Sequence, residues 1–143
     1  MRILIFLFVI VLFTGCSSSS PEDIYGDAVS AYKNRNAAAF EKTLSARSLA
    51  VIDSAVSLIP VLSEEAKSEL AGRSSYKMKK ITRSEYILLQ MNIREENPFD
   101  DYFCGEIKNI SINGGNAELL SGSGIIIRLI KENGEWKIYL TDF

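Results

Sequence analysis

The carboxyl-terminal third of the chain consists of short β-rich runs separated by turn residues, and this pattern constrains the fold most. The turns contain Asn113-Gly114-Gly115, Gly122-Ser123-Gly124 and Asn133-Gly134. Asn-Gly between two apolar runs is a strong hairpin signal, because both central residues of such a turn need positive φ. The pattern predicts a four-stranded antiparallel meander, with strands at 107–112, 117–120, 125–130 and 136–140.

The last of these strands has a regular alternation. Trp136, Ile138 and Leu140 alternate with Lys137 and Tyr139. Successive side chains of a strand point to opposite faces, so the three apolar residues share one face. We therefore predict a sheet with one buried face and one wetter face.

Helical patterns precede the sheet. Ser20 is placed to cap a first helix over 21–33, and Asn36 to cap a second. Ser45 opens a third helix, which Pro60 stops. These elements predict an α+β fold, in which amino-terminal helices pack on a curved four-stranded antiparallel meander.

Two later segments are less regular. Residues 63–72 have the pattern of a short helix ending at Gly72. Residues 82–97 fit two structures, because the apolar residues alternate as in a strand but also recur at helical spacing. We interpret this segment as a helix capped by Ser84, which ends before Pro98 in either case.

The amino terminus has the layout of an export signal. A basic start at Met1-Arg2 is followed by the apolar run 3–13 and by the small residues Thr14-Gly15 before Cys16. A membrane-spanning helix needs about 20 apolar residues, and this run is shorter. The segment therefore predicts export of the chain.

The stretch Leu12-Phe13-Thr14-Gly15-Cys16 resembles the bacterial lipobox, although Phe13 stands where that motif usually has leucine. The resemblance implies cleavage before Cys16 and acylation of Cys16, which would anchor the protein to membrane lipid. Residues 1–15 are then a lipoprotein signal peptide, 16–20 a lipidated cysteine with a serine tether, and 21–143 a single domain. Ser17 favours the periplasmic face of the outer membrane if the organism is Gram-negative. The alternative is a simple secretory signal with a chance cysteine.

Composition excludes several function classes. The 143 residues contain no histidine and two cysteines, so catalysis by imidazole and zinc sites built from Cys and His are excluded. The formal charge of −2 gives no attraction for nucleic acid. If Cys16 carries lipid, Cys104 has no partner for an internal disulfide, and we predict that it is a buried, inert thiol. We expect no cofactor.

Two segments, AVSAYKNRNAAAF at 28–40 and KENGEWKI at 131–138, together with the order of helices before strands, resemble the nuclear transport factor 2-like superfamily. The resemblance implies an α+β cone with a pocket between the helices and the sheet. Enzymes of that superfamily usually rely on histidine, which is absent here, so we predict a non-enzymatic domain that binds a small apolar ligand or an envelope protein through the cone. If the helices between 45 and 72 fill the pocket, it would instead be a structural envelope lipoprotein.

Aromatic side chains provide the candidate ligand-binding residues, because aromatic rings are common in concave binding sites. The candidates are Tyr32, Tyr86 and Tyr139, with the alternative that the aromatic residues are core. We assign no catalytic residue. A histidine-free acid–base enzyme is the alternative, and it would draw on Asp100, Asp101, Tyr102, Glu106, Tyr139 and Asp142.

Two charged segments have competing interpretations. The acidic residues of 95–101 could bind calcium, but they lack the spacing of a calcium loop, so we predict an acidic surface turn and no metal. The basic residues of 73–83 could contact anionic lipid headgroups, but we predict an ordinary solvated face.

Overall fold

A computed structural model of the chain describes residues 19–67, 81–92, 98–103 and 105–140. The predicted signal peptide, Cys16, Gly72, Cys104 and Asp142 lie outside the described residues. Helices come first and strands follow, so the predicted α+β class is confirmed. The helices are α1 (Pro21–Lys33), α2 (Ala37–Thr43), α3 (Ala46–Leu58), α4 (Arg83–Met91) and α5 (Pro98–Phe103). The strands are β1 (Ile107–Asn113), β2 (Asn116–Ser121), β3 (Ile126–Glu132) and β4 (Glu135–Tyr139).

The first three helices begin where their capping residues predict. Ser20 and Asp23 form a reciprocal capping box at the start of α1. The Asn36 side chain accepts a hydrogen bond from the backbone N–H of Ala39, at 3.0 Å. Ser45 caps α3, which ends at Leu58, and Pro60 lies in the 3-10 turn Ile59–Val61 that follows. Residues 64–67 are also helical, at the predicted start of the next helix.

Helix α4 resolves the ambiguity of 82–97 as far as the described residues extend. Its cap is Thr82, which forms a capping box with Glu85, so the prediction of Ser84 as the cap is wrong. The strand-like alternation has a physical cause. Ile87 and Met91 pack into the main core, whereas Leu89 packs into a second cluster with Ile59 and Ile81, so α4 buries more than one face.

Residues 98–103 correct a second prediction. They form the short helix α5 and not an acidic turn. Phe99 and Phe103 lie four residues apart and are both buried in the main core. Asp100 and Asp101 lie in the first turn, where the helix dipole favours negative charge.

The sheet has the predicted meander order β1-β2-β3-β4, and all neighbours are antiparallel. Two of its turns are two-residue hairpins between paired residues: Asn113 pairs with Asn116, and Glu132 with Glu135. At the second hairpin Asn133 and Gly134 adopt positive φ, at 51° and 87°. The positive φ values match the turn chemistry expected of Asn-Gly.

One face of the sheet carries the main core. Trp136, Ile138 and Leu140 are buried, as their alternation predicts, and α1 packs on this inner face. The outer face carries exposed residues such as Glu118 and Arg128, which form a salt bridge at 3.3 Å.

The two edges of the sheet differ. The β4 edge is covered, because Leu44 forms a parallel bridge with Ile138 and the backbone N–H of Ser45 donates to the Ile138 carbonyl at 2.9 Å. The buried Ser48 hydroxyl accepts from the backbone N–H of Leu140 at 2.8 Å. Strand β1 pairs with β2 on one side, and no described residue pairs with its other side.

Candidate functional site

Aromatic rings fill the space between the helices and the inner face of the sheet. Phe40 makes edge contacts with Phe99 and Phe103, at centroid distances of 6.1 and 5.0 Å. Tyr25 and Tyr32 lie 6.3 and 5.7 Å from Phe103. All five side chains are buried. They occupy the space in which the resemblance to the superfamily implies a ligand pocket.

The buried tyrosines direct their hydroxyl groups to protein acceptors. The Tyr32 hydroxyl donates to Asp100 Oδ1 at 2.5 Å. The Tyr25 hydroxyl lies 2.9 Å from the Tyr102 carbonyl and 3.1 Å from the Gly105 carbonyl. Burial, together with the bond to Asp100, raises the pKa of Tyr32 to about 12. The Tyr32 phenol is therefore a hydrogen-bond donor at neutral pH and not a base.

This raised pKa predicts an alkaline loss of stability that depends on Tyr32. An unperturbed tyrosine titrates near pH ~10, so between that pH and about 12 the folded state binds the Tyr32 proton more tightly than the unfolded state. The stabilisation is complete below that window and is lost as the pH rises through it. Urea unfolding across the window should show a steeper decline for wild type than for Tyr32→Phe. Tyr139→Phe is the control, because it has the same number of tyrosines as Tyr32→Phe. If the stability of wild type and of Tyr32→Phe declines equally with pH, the prediction is contradicted.

Arg35 connects three helices at this site. It has a left-handed φ of 54°, in the Asn34-Arg35-Asn36 break between α1 and α2. Its guanidinium lies 5.4 Å from the centroid of the Tyr32 ring, and Nη1 donates to the Met91 carbonyl at the end of α4. A cation is favourable there because the terminal carbonyls of a helix lack intrahelical partners. The sequence signals the break, but nothing in it marks Arg35 for this role.

The three candidate tyrosines lie in different environments. Tyr32 is part of the aromatic interior. Tyr86 is half-buried on α4 against both hydrophobic clusters, and burial raises its pKa. Tyr139 lies on the outer face of β4, with the Arg47 guanidinium 5.6 Å from its ring centroid. The structure does not gather the three at one cavity.

Arg83 is the described end of the basic segment 73–83, and it is engaged in ion pairs. Its Nε and Nη2 donate to the two carboxylate oxygens of Asp53 at 2.6 and 2.5 Å, and Nη1 donates to Glu41 at 2.8 Å. The bond to Arg83 lowers the pKa of the Asp53 carboxyl. Ser84 donates to the second oxygen of Glu41 at 2.9 Å. These contacts join α2, α3 and α4, so Arg83 balances acidic side chains of two other helices. The other basic residues of the segment lie outside the described residues.

Two shallow grooves flank α2, and both open broadly to solvent. The first, of about 410 Å³, is lined by the turn 34–37 and by Ser84, Glu85 and Leu88 of α4. None of the candidate tyrosines lines it.

The second groove, of about 530 Å³, is lined by residues of α2, the start of α3 and the β3–β4 hairpin, and again by none of the candidate tyrosines. Three of its charged side chains, those of Glu41, Glu132 and Lys137, already have partners. The Glu132 carboxylate accepts from the backbone N–H of Ala46 at 3.0 Å, and Lys137 Nζ donates to the Lys42 carbonyl at 3.0 Å.

Of the residues considered for acid–base catalysis, the described ones (Asp100, Asp101, Tyr102, Glu106 and Tyr139) line neither groove. Asp100 binds the Tyr32 hydroxyl, and Tyr139 lies on the outer face of the sheet. Within the described ranges, no three Cys, Asp or Glu side chains are placed to hold a metal ion. The helices of the described residues include none that is long and apolar enough to cross a membrane.

Comparison of the chain with protein-family models, with curated proteins and with solved structures finds no significant match.

Proposed function

We propose that the chain is an exported lipoprotein, anchored to a membrane through acylated Cys16, whose domain has no catalytic role and contacts an envelope protein through its outer surface. The export signal carries the lipoprotein part of this proposal, and the aromatic interior is the observation that favours surface contact over a ligand pocket. Phe40, at its centre, is 1% exposed. A small apolar ligand would have to displace these rings, which close packing makes costly.

The start of α1 supports an action close to the lipid. Ser20 already caps α1, so only Ser17, Ser18 and Ser19 separate Cys16 from the folded domain. An extended chain spans at most about 3.5 Å per residue, so this tether reaches roughly 10 to 15 Å. A domain on so short a tether meets partners that lie in or on the same membrane.

The placement of polar groups favours a binding role over a catalytic one. A general base must be free to accept a proton from a substrate. Asp100 instead accepts from Tyr32, and Glu41 and Asp53 bind Arg83. Each of these three carboxylates therefore binds a side chain of another helix.

Replacing Cys16 by alanine should abolish lipidation, because no other cysteine lies near the cleavage region. The apolar run 3–13 is too short to anchor the protein by itself. Fatty-acid labelling of the variant should be lost, and the protein should leave the membrane fraction. Cys104→Ala is the matched control and should keep both the label and the membrane location. Continued labelling of Cys16→Ala would overturn the lipoprotein proposal.

A further inference from the structure

Beyond Lys108, the free edge of β1, with which no described residue pairs, lacks the charged residues, prolines and bulges that usually protect an edge strand. Exposed edges are normally blocked by charged residues, by proline or by bulges, because their unpaired N–H and C=O groups can pair with another chain. Residues 109–113 of β1 carry no charge and no proline. Ile112 in this segment is 55% exposed.

The protective features of β1 lie outside this segment. A register shift between Ile107 and Asn109 makes Lys108 the bulged residue. The Lys108 ammonium donates to the Gly122 carbonyl at 3.0 Å, within its own sheet. The bulge therefore limits the open edge to the five residues that follow Lys108.

These five residues read the same in both directions: Asn109-Ile110-Ser111-Ile112-Asn113. Antiparallel pairing with a second copy, centred on Ser111, places each asparagine opposite an asparagine and each isoleucine opposite an isoleucine. We propose that the chain forms a symmetric dimer through this edge, so that two four-stranded sheets join into one sheet of eight strands.

The residues of β1 whose backbone N–H and C=O groups point away from β2 are the ones that this register pairs. Asn113 and Asn116 flank a two-residue turn and form a hydrogen-bonded pair, and such pairs alternate along an antiparallel ladder. Ser111 is then bonded to β2, whereas the N–H and C=O of Ile110 and Ile112 face the free edge. The Ile110 N–H donates to the Asn109 side-chain oxygen at 2.9 Å, so pairing with a second copy exchanges this exposed side-chain bond for a backbone one. In the register centred on Ser111, Ile110 of each copy lies opposite Ile112 of the other, and four backbone hydrogen bonds form.

Charge is compatible with self-pairing in this register. Lys108, the one charged residue of β1, falls opposite Gly114 of the second copy, so no like charges face each other. Registers centred on Ile110 or on Ile112 would also bring together backbone groups that face the free edge. The register centred on Ile110, however, places Lys108 opposite Ile112. The palindromic order favours the register on Ser111, which also covers the exposed Ile112.

The symmetry of the dimer suits two copies on one membrane, a point that rests on the proposed lipid anchor. A two-fold axis between antiparallel edge strands runs perpendicular to the sheet, so the helical layers of both copies lie on the same side. Both tethers, which lead into α1, can then reach one lipid surface. One pair of five-residue strands is smaller than a standard interface of about 1,600 Å², so we expect a concentration-dependent dimer that membrane confinement favours.

Substitution of Ser111 tests the dimer in the full chain purified in detergent. Ser111 is exposed, and its side chain lies on the outer face next to Glu118. Ser111→Lys places two lysines opposite each other across the axis and should weaken the dimer at least about tenfold in sedimentation analysis. Ser111→Glu should do the same, and an equimolar mixture of the two variants should restore a dimer, which also shows that both fold.

Ile126→Lys is the matched control. Ile126 is exposed on the outer face of β3, away from the β1 edge, and a lysine there would disrupt stacking of two outer faces but not edge pairing. The variant should dimerise like wild type. If sedimentation analysis shows wild type to be monomeric at every concentration tested, the proposal is overturned. It is also overturned if Ser111→Lys dimerises as strongly as wild type.

A cysteine at the axis tests the register. Ser111 faces Ser111 in a pair without backbone hydrogen bonds, where Cα atoms lie about 4.5 Å apart, within the range that a disulfide bridges. Ser111→Cys in a Cys104→Ser background should form an interchain disulfide on mild oxidation. The Cys104→Ser parent controls for disulfides through Cys16. Cross-linking no greater than that of the parent would overturn the register centred on Ser111.

Discussion

Replacing Trp136 by alanine should lower the free energy of unfolding by about 3 to 5 kcal/mol. Trp136 is 6% exposed and shares the inner face of β4 with Ile138 and Leu140. Lys131 Nζ lies over the ring, 5.6 Å from its centroid. Domains of this size have a total stability of about 5 to 15 kcal/mol, so the loss is a large fraction.

Urea unfolding of the Trp136→Ala variant measures this loss. Glu135→Ala is a matched control on the same strand, because its side chain is exposed and its salt bridge to Lys137 is at the surface. The control should lose no more than about 1 kcal/mol. If Trp136→Ala also loses less than about 1 kcal/mol, Trp136 is not a core residue in solution.

Replacing Phe40 by alanine should also cost about 3 to 5 kcal/mol, and it should open a cavity inside the domain. The ring is 1% exposed and contacts both Phe99 and Phe103 of α5. Phe99 and Phe103 lie on α5, and α2 itself packs against α1, α4 and β4, so the surrounding backbone limits how far the site collapses. Phe40→Leu keeps most of the volume and should lose much less stability than Phe40→Ala.

The same variant tests whether the wild-type interior is filled. An apolar cavity of sufficient size stays dry and binds a small apolar molecule such as benzene. Benzene should therefore raise the Tm of Phe40→Ala and leave that of wild type unchanged. An equal shift for wild type would mean that its interior already has room for an apolar ligand, and would favour ligand binding over the surface role that we propose.

Local chemistry in the sequence predicts much of the fold. Ser20, Asn36 and Ser45 are the observed caps of α1, α2 and α3. The Asn133-Gly134 turn and the alternation of β4 are also observed as predicted. These features depend on interactions among residues two to four positions apart, so the sequence contains what is needed to predict them.

The cap of α4 and the structure of 98–103 could not be predicted in this way. Thr82 and Ser84 are both suitable capping residues, and the structure uses Ser84 to bind Glu41 of α2. The sequence around Asp100 suggests an exposed acidic turn. Helix α5 forms because Phe99 and Phe103 pack against Phe40, more than 50 residues away in the chain. Such distant contacts have no local signal.

The sequence by itself determined the order of helices and strands, most helix starts, the hairpin turns and the buried face of β4, because caps, turns and side-chain periodicity act over a few neighbouring residues. Only the tertiary structure decided that Tyr32 meets Asp100 across 68 positions and that aromatic rings fill the interior. It alone also placed the palindromic segment 109–113 at a sheet edge with which no described residue pairs. Those outcomes depend on which distant surfaces pack together, and the free energy of that packing is shared among many residues instead of being specified by any one motif.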